Sequence, residues 1–313
     1  MLENMIKLIN YYSPSENKNK YLKEKLNKLK SIKSEQKLCN FLGCKEVAID
    51  SHEISKGIFL SQISDENNEV NILARDFKGN IRRFYFKKEN VKSATTFPGF
   101  CAAHDKKIFT SFENGTFTIN QDFVQKQSLR TLKKEISLIH DEIKTLSTLI
   151  FSPEKHEDIR LLKKNYHGQA KNLKRYQKLF NNLSHSIDKG GSIMQFKIID
   201  DVPNNMVQFS KLRHDIETIL GIPLKHAYIF IFLLFNDGKQ KLILATFKDK
   251  TSNKLMEFLV QNKYFLNEYI LINKERFIVS QNFINSLDHV DYNTMLDDNK
   301  IIQNKFFLKF MGF

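Results

Sequence analysis

Apolar residues recur at helical spacing in the middle of the chain. In one stretch they alternate steps of three and four, which is the a/d pattern of a coiled-coil seam: Leu129, Leu132, Ile136, Ile139, Ile143, Leu146 and Ile150. A second seam follows the break at Phe151-Ser152-Pro153, with one polar position at Gln169: Ile159, Leu162, Tyr166, Leu173, Tyr176, Phe180, Leu183 and Ile187. The pattern predicts a long antiparallel helical hairpin over residues 124–189.

The two seams also bear on assembly. The hairpin can close on itself, or its second arm can pair with another copy of the chain. Because the seams at 129–150 and 159–187 carry more apolar surface than one hairpin needs to bury, we expect a homo-oligomer formed through these helices.

The periodicity changes on either side of the hairpin. Residues 39–123 contain short β-rich pieces, including a hairpin in which Val70–Phe77 and Ile81–Phe86 flank a turn. After Gly190-Gly191, residues 190–313 are predicted to form a separate α/β domain. Its predicted elements are strands at Met194–Ile199, Ala227–Phe235 and Lys241–Phe247, helices at Ser210–Leu220 and Ser252–Asn262, and helical pieces after Ser280.

The first 38 residues predict a basic helical segment. Apolar residues from Tyr21 to Ile32 recur at helical spacing, and the other face is rich in lysine. Such a row is often only a solvated face, but it also suits contact with a phosphate backbone. Lys18, Lys25 and Lys28 are therefore candidate nucleic-acid-binding residues.

The charge balance narrows the classes of partner. In 313 residues, 49 Lys and Arg against 35 Asp and Glu give a formal net charge of +14, which favours nucleic acid or an anionic membrane. The longest apolar run, Ala227–Phe235, is too short to span a membrane, and the first ten residues lack the features of a secretory signal. We therefore expect a cytoplasmic protein with DNA or RNA as its partner and no membrane. The sequence contains no P-loop, dinucleotide fingerprint or Gly-x-Ser-x-Gly elbow.

Three cysteines and a histidine are spaced like a zinc site. Cys39 and Cys44 form one close pair and Cys101 and His104 form a second, as in proteins that bind Zn²⁺ through two knuckles. The cysteines could instead be small buried apolar residues, but each lies next to a predicted turn and near a histidine. His52 offers a different ligand set, in which it replaces Cys39. Structural Zn²⁺ is the expected cofactor.

The order of these residues resembles the HNH family of ββα-metal nucleases. The similarity covers residues 39–113 and rests on the two Cys/His pairs and on Ser51-His52-Glu53-Ile54. It implies that His52 is the general base, that Asp105 takes the place of the family's metal-binding His, and that Thr96 takes the place of its middle Asn. The chain departs from the family at Thr96 and Asp105, at Ser51, which stands where an Asp often precedes the first His, and in the long insert between the halves of the motif.

A second resemblance is to uncharacterised bacterial proteins with an SH…GFCxxHD signature. The match covers residues 51–55 and the stretch from Ala94 to Asp105, with Ile108-Phe109 and Phe112-Glu113 following. The similarity implies no activity. Glu113 follows this stretch and offers a second carboxylate near the site, although a lone Glu on a β-rich surface is more often only solvated.

The HNH resemblance implies a metal-dependent endonuclease that hydrolyses phosphodiester bonds of DNA or RNA with Mg²⁺ or Mn²⁺, and a role in bacterial phage defence is compatible with it. The alternative is a non-catalytic, zinc-stabilised module that binds nucleic acid or protein; it is favoured if His52 binds the zinc. The expected fold class is α+β, with four segments: the basic segment 1–38, a zinc-knuckle ββα-like domain at 39–123, the hairpin at 124–189 and the α/β domain at 190–313.

Overall fold

The computed structural model describes residues 37–78, 81–113, 118–151, 159–200, 202–204, 206–215, 227–263 and 276–289, together with residues 266, 270, 292 and 296. The predicted basic helix lies outside these residues except for its last two positions, and so do Lys18, Lys25 and Lys28. Their role in nucleic-acid binding stays a prediction.

The described strands form two sheets. The small sheet pairs β1 (Asp50–His52) with β4 (Thr96–Pro98). The large sheet has seven strands in the order β3-β2-β9-β6-β7-β8-β5. They are β2 (Glu69–Lys78), β3 (Ile81–Asn90), β5 (Met194–Ile199), β6 (Val207–Asp215), β7 (Ala227–Asn236), β8 (Lys239–Phe247) and β9 (Ile278–Val279).

The large sheet joins residues from both ends of the described chain. β2 and β3 come from the 39–123 segment and the other strands come from 190–313, and β9 connects the two groups by pairing with both β2 and β6. Every described pair in this sheet is antiparallel. An α/β domain is built on parallel strands, so the C-terminal segment is α+β in its described part and the expectation of an α/β domain is corrected.

One predicted element is also corrected. The helix expected at Ser210–Leu220 is replaced, over its described residues, by β6. Val207 and Phe209 pack in one core while Leu212 packs in the core on the other face, which is the two-residue period of a strand. The neighbouring strands β7 and β9 satisfy its backbone, so tertiary pairing decides the conformation. The strands predicted at 194–199, 227–235 and 241–247 and the hairpin at 70–86 are confirmed.

Five main helices are described, and three of them begin at a polar cap. They are α1 (Ala102–Glu113), α2 (Gln121–Ile150), α3 (Ile159–Asp188), α4 (Lys250–Gln261) and α5 (Gln281–Ser286). The side chain of Asn120 accepts the N–H of Phe123 at the start of α2, and Asp249 and Ser280 cap α4 and α5 in the same way. Two shorter helical turns, Lys56–Leu60 and Ser61–Ile63, follow β1.

α2 and α3 form the predicted long helix pair, and they run antiparallel. Gln125 Nε2 donates to the carbonyl of Gly191 at the base, and Gln169 Nε2 donates to Glu142 Oε2 midway. Leu146, Leu149 and Leu162 pack together toward the tip. α2 is buried on several sides because β4, β5 and β6 also pack against it.

β7 accounts for the longest apolar run of the sequence. Its side chains from Ala227 to Phe235 are all buried, because both faces of the sheet are covered. Phe230 and Phe232 belong to the core that includes α2, whereas Ile229 and Ile231 belong to the core that includes α4. No helix among the described residues combines the length and the apolar sequence of a membrane span.

β1, β4 and α1 form a small ββα unit. His52 on β1 pairs with Thr96 on β4, and α1 begins a few residues after β4. The turn between them needs glycine, because a Cβ on Gly99 would lie 2.7 Å from Cβ of Ser51. The insert between β1 and β4 carries β2 and β3, which extend into the large sheet.

Candidate metal centre and adjacent cleft

Four potential metal ligands converge at the start of α1. The Sγ atoms of Cys39, Cys44 and Cys101 and a ring nitrogen of His104 lie within 4.8 Å of one another. His104 Nδ1 is 3.2 Å from Cys101 Sγ and 3.5 Å from Cys39 Sγ, and Cys44 Sγ is 4.0 Å from Cys101 Sγ. Three thiolates and an imidazole are a common tetrahedral ligand set, so the cluster could bind a metal ion such as zinc.

A tight turn brings Cys39 and Cys44 together. The N–H of Asn40 donates to the carbonyl of Cys44 at 2.9 Å, and the N–H of Cys44 donates to the carbonyl of Phe41 at 3.0 Å. Gly43 has a φ of 81°, a left-handed conformation that glycine adopts without strain. The turn closes the four-residue gap between the two thiols.

The first turn of α1 places the second pair. The N–H of Asp105 donates to the carbonyl of Cys101 at 2.8 Å, so Cys101 precedes the helix and His104 follows it by one turn on the same side. The imidazole packs against the ring of Phe41, with 5.0 Å between the ring centroids. This contact joins the two knuckles through an aromatic side chain as well as through the thiols.

The thiols differ in their tendency to ionise. Burial raises the pKa of Cys39 to about 11. Burial acts in the same direction on Cys101, but hydrogen bonds from the backbone of His104 and from the other two thiols outweigh it and lower the pKa of Cys101. Thiols bind metals as thiolates, so metal binding at this cluster should release protons.

His52 lies outside the four-residue cluster. Its Nδ1 is 3.1 Å from the carbonyl oxygen of Ala94, which can only accept a hydrogen bond, so Nδ1 carries a proton and Nε2 is the basic nitrogen. Burial lowers the pKa of His52, and the charge of Arg130 adds to this effect. The imidazole is therefore neutral at pH 7. The ligand set that the structure brings together includes Cys39 and not His52.

A cleft with a volume of about 240 Å³ lies between β1, α1 and α2. His52 enters it from β1, and Asp105 and Glu113 enter it from the same side of α1. The residues that line it are Asp50, Ser51, His52, Ser55, Lys56, Gly57, Asp105, Glu113 and Arg130. A basic nitrogen, two carboxylates and a guanidinium thus share one opening.

Arg130 is a buried cation in the wall of this cleft. Its side chain is 1% exposed, and its Nη2 donates to Glu113 Oε1 at 2.7 Å and lies 3.9 Å from Asp105 Oδ2. The guanidinium lies 3.8 Å from the ring centroid of Phe109. Arg130 Nε and Nη1 and Asp105 Oδ1 are buried and have no hydrogen-bond partner among the described residues. Such atoms are rare in folded proteins and indicate that a ligand or ordered water belongs here.

Thr96 lies opposite His52 on the paired strand but does not line the cleft. Its Oγ1 donates to the carbonyl of Ser93 at 2.8 Å. The hydroxyl nearest to the imidazole is that of Thr95, 3.5 Å from His52 Nδ1. Of the three predicted catalytic residues, the structure brings His52 and Asp105 to one cleft and directs the Thr96 hydroxyl to the backbone.

Sequence reasoning missed Arg130. It belongs to the heptad segment and follows Glu113 by 17 residues, so no motif links it to the site. One signal could have pointed to it: Arg130 is a charged residue directly after the seam position Leu129, in a helix predicted to be well packed.

No protein-family model matches this chain, and no curated protein or solved structure matches it either. The chemistry assigned to the cleft therefore rests on the residues that form it.

Proposed function

We propose that this protein is a metal-dependent endonuclease that hydrolyses phosphodiester bonds of DNA or RNA in the cleft between β1, α1 and α2. The observation that carries the proposal is the position of His52. It stands apart from the Cys/His cluster, its Nδ1 is engaged by a carbonyl, and it shares the cleft with Asp105. A role in bacterial phage defence stays a prediction.

The Cys/His cluster would hold a structural Zn²⁺. Its three sulfurs and one nitrogen match the preference of zinc, and all four ligands come from the protein, which leaves no open position for substrate. Structural zinc fixes the fold around it. Here it would hold α1 against the loop that leads into β1, and so fix the distance between the groups of the cleft.

His52 would act as the general base. The Ala94 carbonyl holds the imidazole in the tautomer with a free Nε2, and burial keeps it unprotonated near pH 7. In that state Nε2 can accept a proton from a water molecule that attacks phosphorus. The carbonyl then stabilises the protonated ring through the Nδ1–H hydrogen bond.

Asp105 and Glu113 would hold a divalent cation. Asp105 Oδ1 is buried and lacks a partner among the described residues, and carboxylate oxygens are the ligands that Mg²⁺ and Mn²⁺ prefer. Such an ion, when bound, neutralises the scissile phosphate and the leaving oxygen. Arg130 orients Glu113 through their hydrogen bond and keeps the two carboxylates from repelling one another.

The test compares two histidines. His52→Ala should lower Mg²⁺- or Mn²⁺-dependent cleavage of plasmid DNA or of RNA by about 10²- to 10⁴-fold, the usual contribution of a general base. Zinc content and melting temperature should not change, because His52 lies outside the ligand cluster. His185→Ala is the matched control: His185 Nδ1 also contacts a carbonyl, that of Asn181, but the residue lies outside the cleft.

Two results would favour the non-catalytic module instead. One is loss of zinc from the His52→Ala protein, which would make His52 a ligand. The other is a parent protein that holds zinc and binds nucleic acid but cleaves neither DNA nor RNA with any divalent cation. Cleavage that is equal in parent and His52→Ala proteins would refute the assigned base.

Asp105→Asn tests the cation site separately. This substitution should raise the Mg²⁺ or Mn²⁺ concentration needed for half-maximal cleavage, while affinity for nucleic acid without added cation stays the same. Asp50→Asn is the control, because Asp50 also lines the cleft but is exposed at its edge. An equal shift for both variants would mean that general negative charge, and not a ligand, is responsible.

A further inference from the structure

α3 presents a continuous row of positive charge to solvent. Six exposed side chains follow one another at steps of one, three, four and seven residues, and we call them the basic face: Arg160, Lys163, Lys164, Lys171, Lys174 and Lys178. The opposite side of α3 packs against α2 and the central core through residues such as Tyr176, Phe180 and Leu183. The row is therefore fixed in direction by the packing of the helix.

The basic face carries no compensating acid. From Ile159 to Ile187 the sequence has no Asp or Glu, although a stretch of this length would hold about three at the average acidic content of the chain. None of the six cations forms an ion pair with another described residue. Pairs of like charge at i, i+4, such as Arg160 with Lys164 and Lys174 with Lys178, destabilise a helix.

α2, the partner helix, shows the contrasting pattern. Its acidic residues alternate with basic ones, and several are paired: Asp122 with Lys126, Glu135 with Lys211 and Asp141 with Lys37. A lysine-rich composition would add positive charge to both helices, but it does not explain why acids are missing from only one of them. The uncompensated charge of α3 thus suits an external anion.

We infer that the basic face of α3 binds the phosphate backbone of double-stranded DNA. From Arg160 to Lys178 the helix rises about 27 Å, a length over which a duplex presents roughly eight base pairs. A duplex is stiff over this length, so a fixed row of cations can lie along it and contact phosphates where the two backbones cross the row. Single-stranded nucleic acid would instead need exposed aromatic side chains for stacking, and no Phe or Tyr of α3 has an exposed side chain.

An anionic membrane fits the face less well. Membrane-surface helices insert their apolar side between the lipids, but the apolar side of α3 is occupied by α2 and the core. The C-terminal end of α3 contacts α1. Asp188 Oδ1 lies 3.4 Å from Lys107 Nζ of α1, the helix that carries Asp105.

The inference rests on the proposed function only in taking nucleic acid as the partner, and it does not require cleavage. The test uses the full chain, a fluorescent DNA duplex of about 20 base pairs and no added divalent cation, with anisotropy measured over a series of salt concentrations. The variant is the triple substitution Lys164→Glu, Lys171→Glu and Lys174→Glu. The new carboxylates at positions 171 and 174 precede Arg175 and Lys178 by four residues, a favourable helical spacing, so α3 should remain folded.

We expect this triple variant to bind the duplex at least tenfold more weakly than the parent, with the slope of log Kd against log salt reduced by about three. The control carries the same change in net charge elsewhere: Lys239→Glu, Lys250→Glu and Lys254→Glu, all at exposed positions of the C-terminal segment. It should bind within about twofold of the parent. Circular dichroism and the melting temperature verify that both variants are folded.

Several outcomes would overturn the inference. Equal loss of affinity in both triple variants would mean that only the net charge of the protein matters. Full affinity in both variants would mean that the duplex binds to another surface. A parent protein that binds vesicles with phosphatidylserine but not the duplex would make the face a membrane site. A parent that binds the duplex but cleaves neither DNA nor RNA with any divalent cation would refute the proposed nuclease and leave this inference intact.

Discussion

The Cys/His cluster and the cleft are built from adjacent residues but differ in how their polar atoms are satisfied. In the cluster, the ligand atoms of Cys39, Cys44, Cys101 and His104 lie within 4.8 Å of one another. In the cleft, buried atoms of Asp105 and Arg130 lack partners among the described residues, and the space beside them is open. Metal sites that stabilise a fold are closed and catalytic ones keep open positions, so the contrast agrees with the proposal of a structural metal beside a reactive cleft.

Neighbouring residues are divided between the two sites by local geometry. His104 and Asp105 are consecutive on α1, yet a helical rotation directs one to the cluster and the other to the cleft. Substitutions at adjacent positions should therefore have different effects on stability and on activity.

Loss of a cluster ligand should have the largest effect. Cys101→Ala leaves three ligands around the ion, and a structural zinc site contributes on the order of 10 kcal/mol, comparable to the total stability of a domain. We expect loss of stoichiometric metal and unfolding of the β1–β4–α1 region, measured by elemental analysis and by hydrogen exchange. His104→Ala should have the same effect. His140→Ala, a substitution at an exposed position, should leave metal content and folding unchanged. A parent protein that holds no stoichiometric metal, with a Cys101→Ala protein that melts at the same temperature as that parent, would remove the basis for the structural site.

Arg130→Met should have the next largest effect. It removes the cation between Glu113 and Asp105 but keeps an apolar side chain over Phe109. Breaking one side of a largely buried ion pair should lower the free energy of unfolding by roughly 2–4 kcal/mol, measured by chemical denaturation. Zinc content should be unchanged. Arg160→Met, on the exposed basic face, is the control and should change stability little; an equal loss in both would argue against a special role for Arg130.

The pH dependence of activity should report His52. Because burial lowers its pKa, the basic form persists below pH 6.5, and the acid limb of log(kcat/KM) should have its midpoint below that value. His52 changes the free energy of unfolding with pH in the opposite direction from a salt-bridged histidine. The unfolded chain binds the proton first, so stability falls as pH decreases through 6.5 toward the folded pKa. His52→Gln should flatten this part of the stability profile, and an unchanged profile would contradict the assignment.

The smallest effect concerns assembly. Most seam residues of α2 and α3 are buried within one chain, so the expected homo-oligomer, which stays a prediction, has to use what remains exposed. Phe151 is 82% exposed at the tip of the helix pair, with Ile159 and Leu161 nearby. If the chain pairs through these helices, Phe151→Ser should weaken the association. Light scattering at a protein concentration of roughly tens of micromolar measures this change. A parent that is monomeric at that concentration would exclude it.

The helix pair and most strands could be predicted because local periodicity determines them. The two seams give α2 and α3, and the run from Ala227 to Phe235 gives β7. The spacing of the Cys/His pairs likewise indicated a group of four ligands that the structure gathers. The helix predicted over Ser210–Leu220 was wrong over its described residues, because pairing with the neighbouring strands decides the conformation of β6.

What the sequence alone determined is therefore local: the long helices, the apolar strands, the paired ligands and the excess of positive charge. Only the tertiary structure decided which residues share a site. It joined β2 to β9 in one sheet, placed His52 away from the cluster, and brought Arg130 from α2 to the carboxylates of α1. These contacts link residues far apart in the chain, and periodicity carries no information about them, because they arise from the packing of whole elements against a common core.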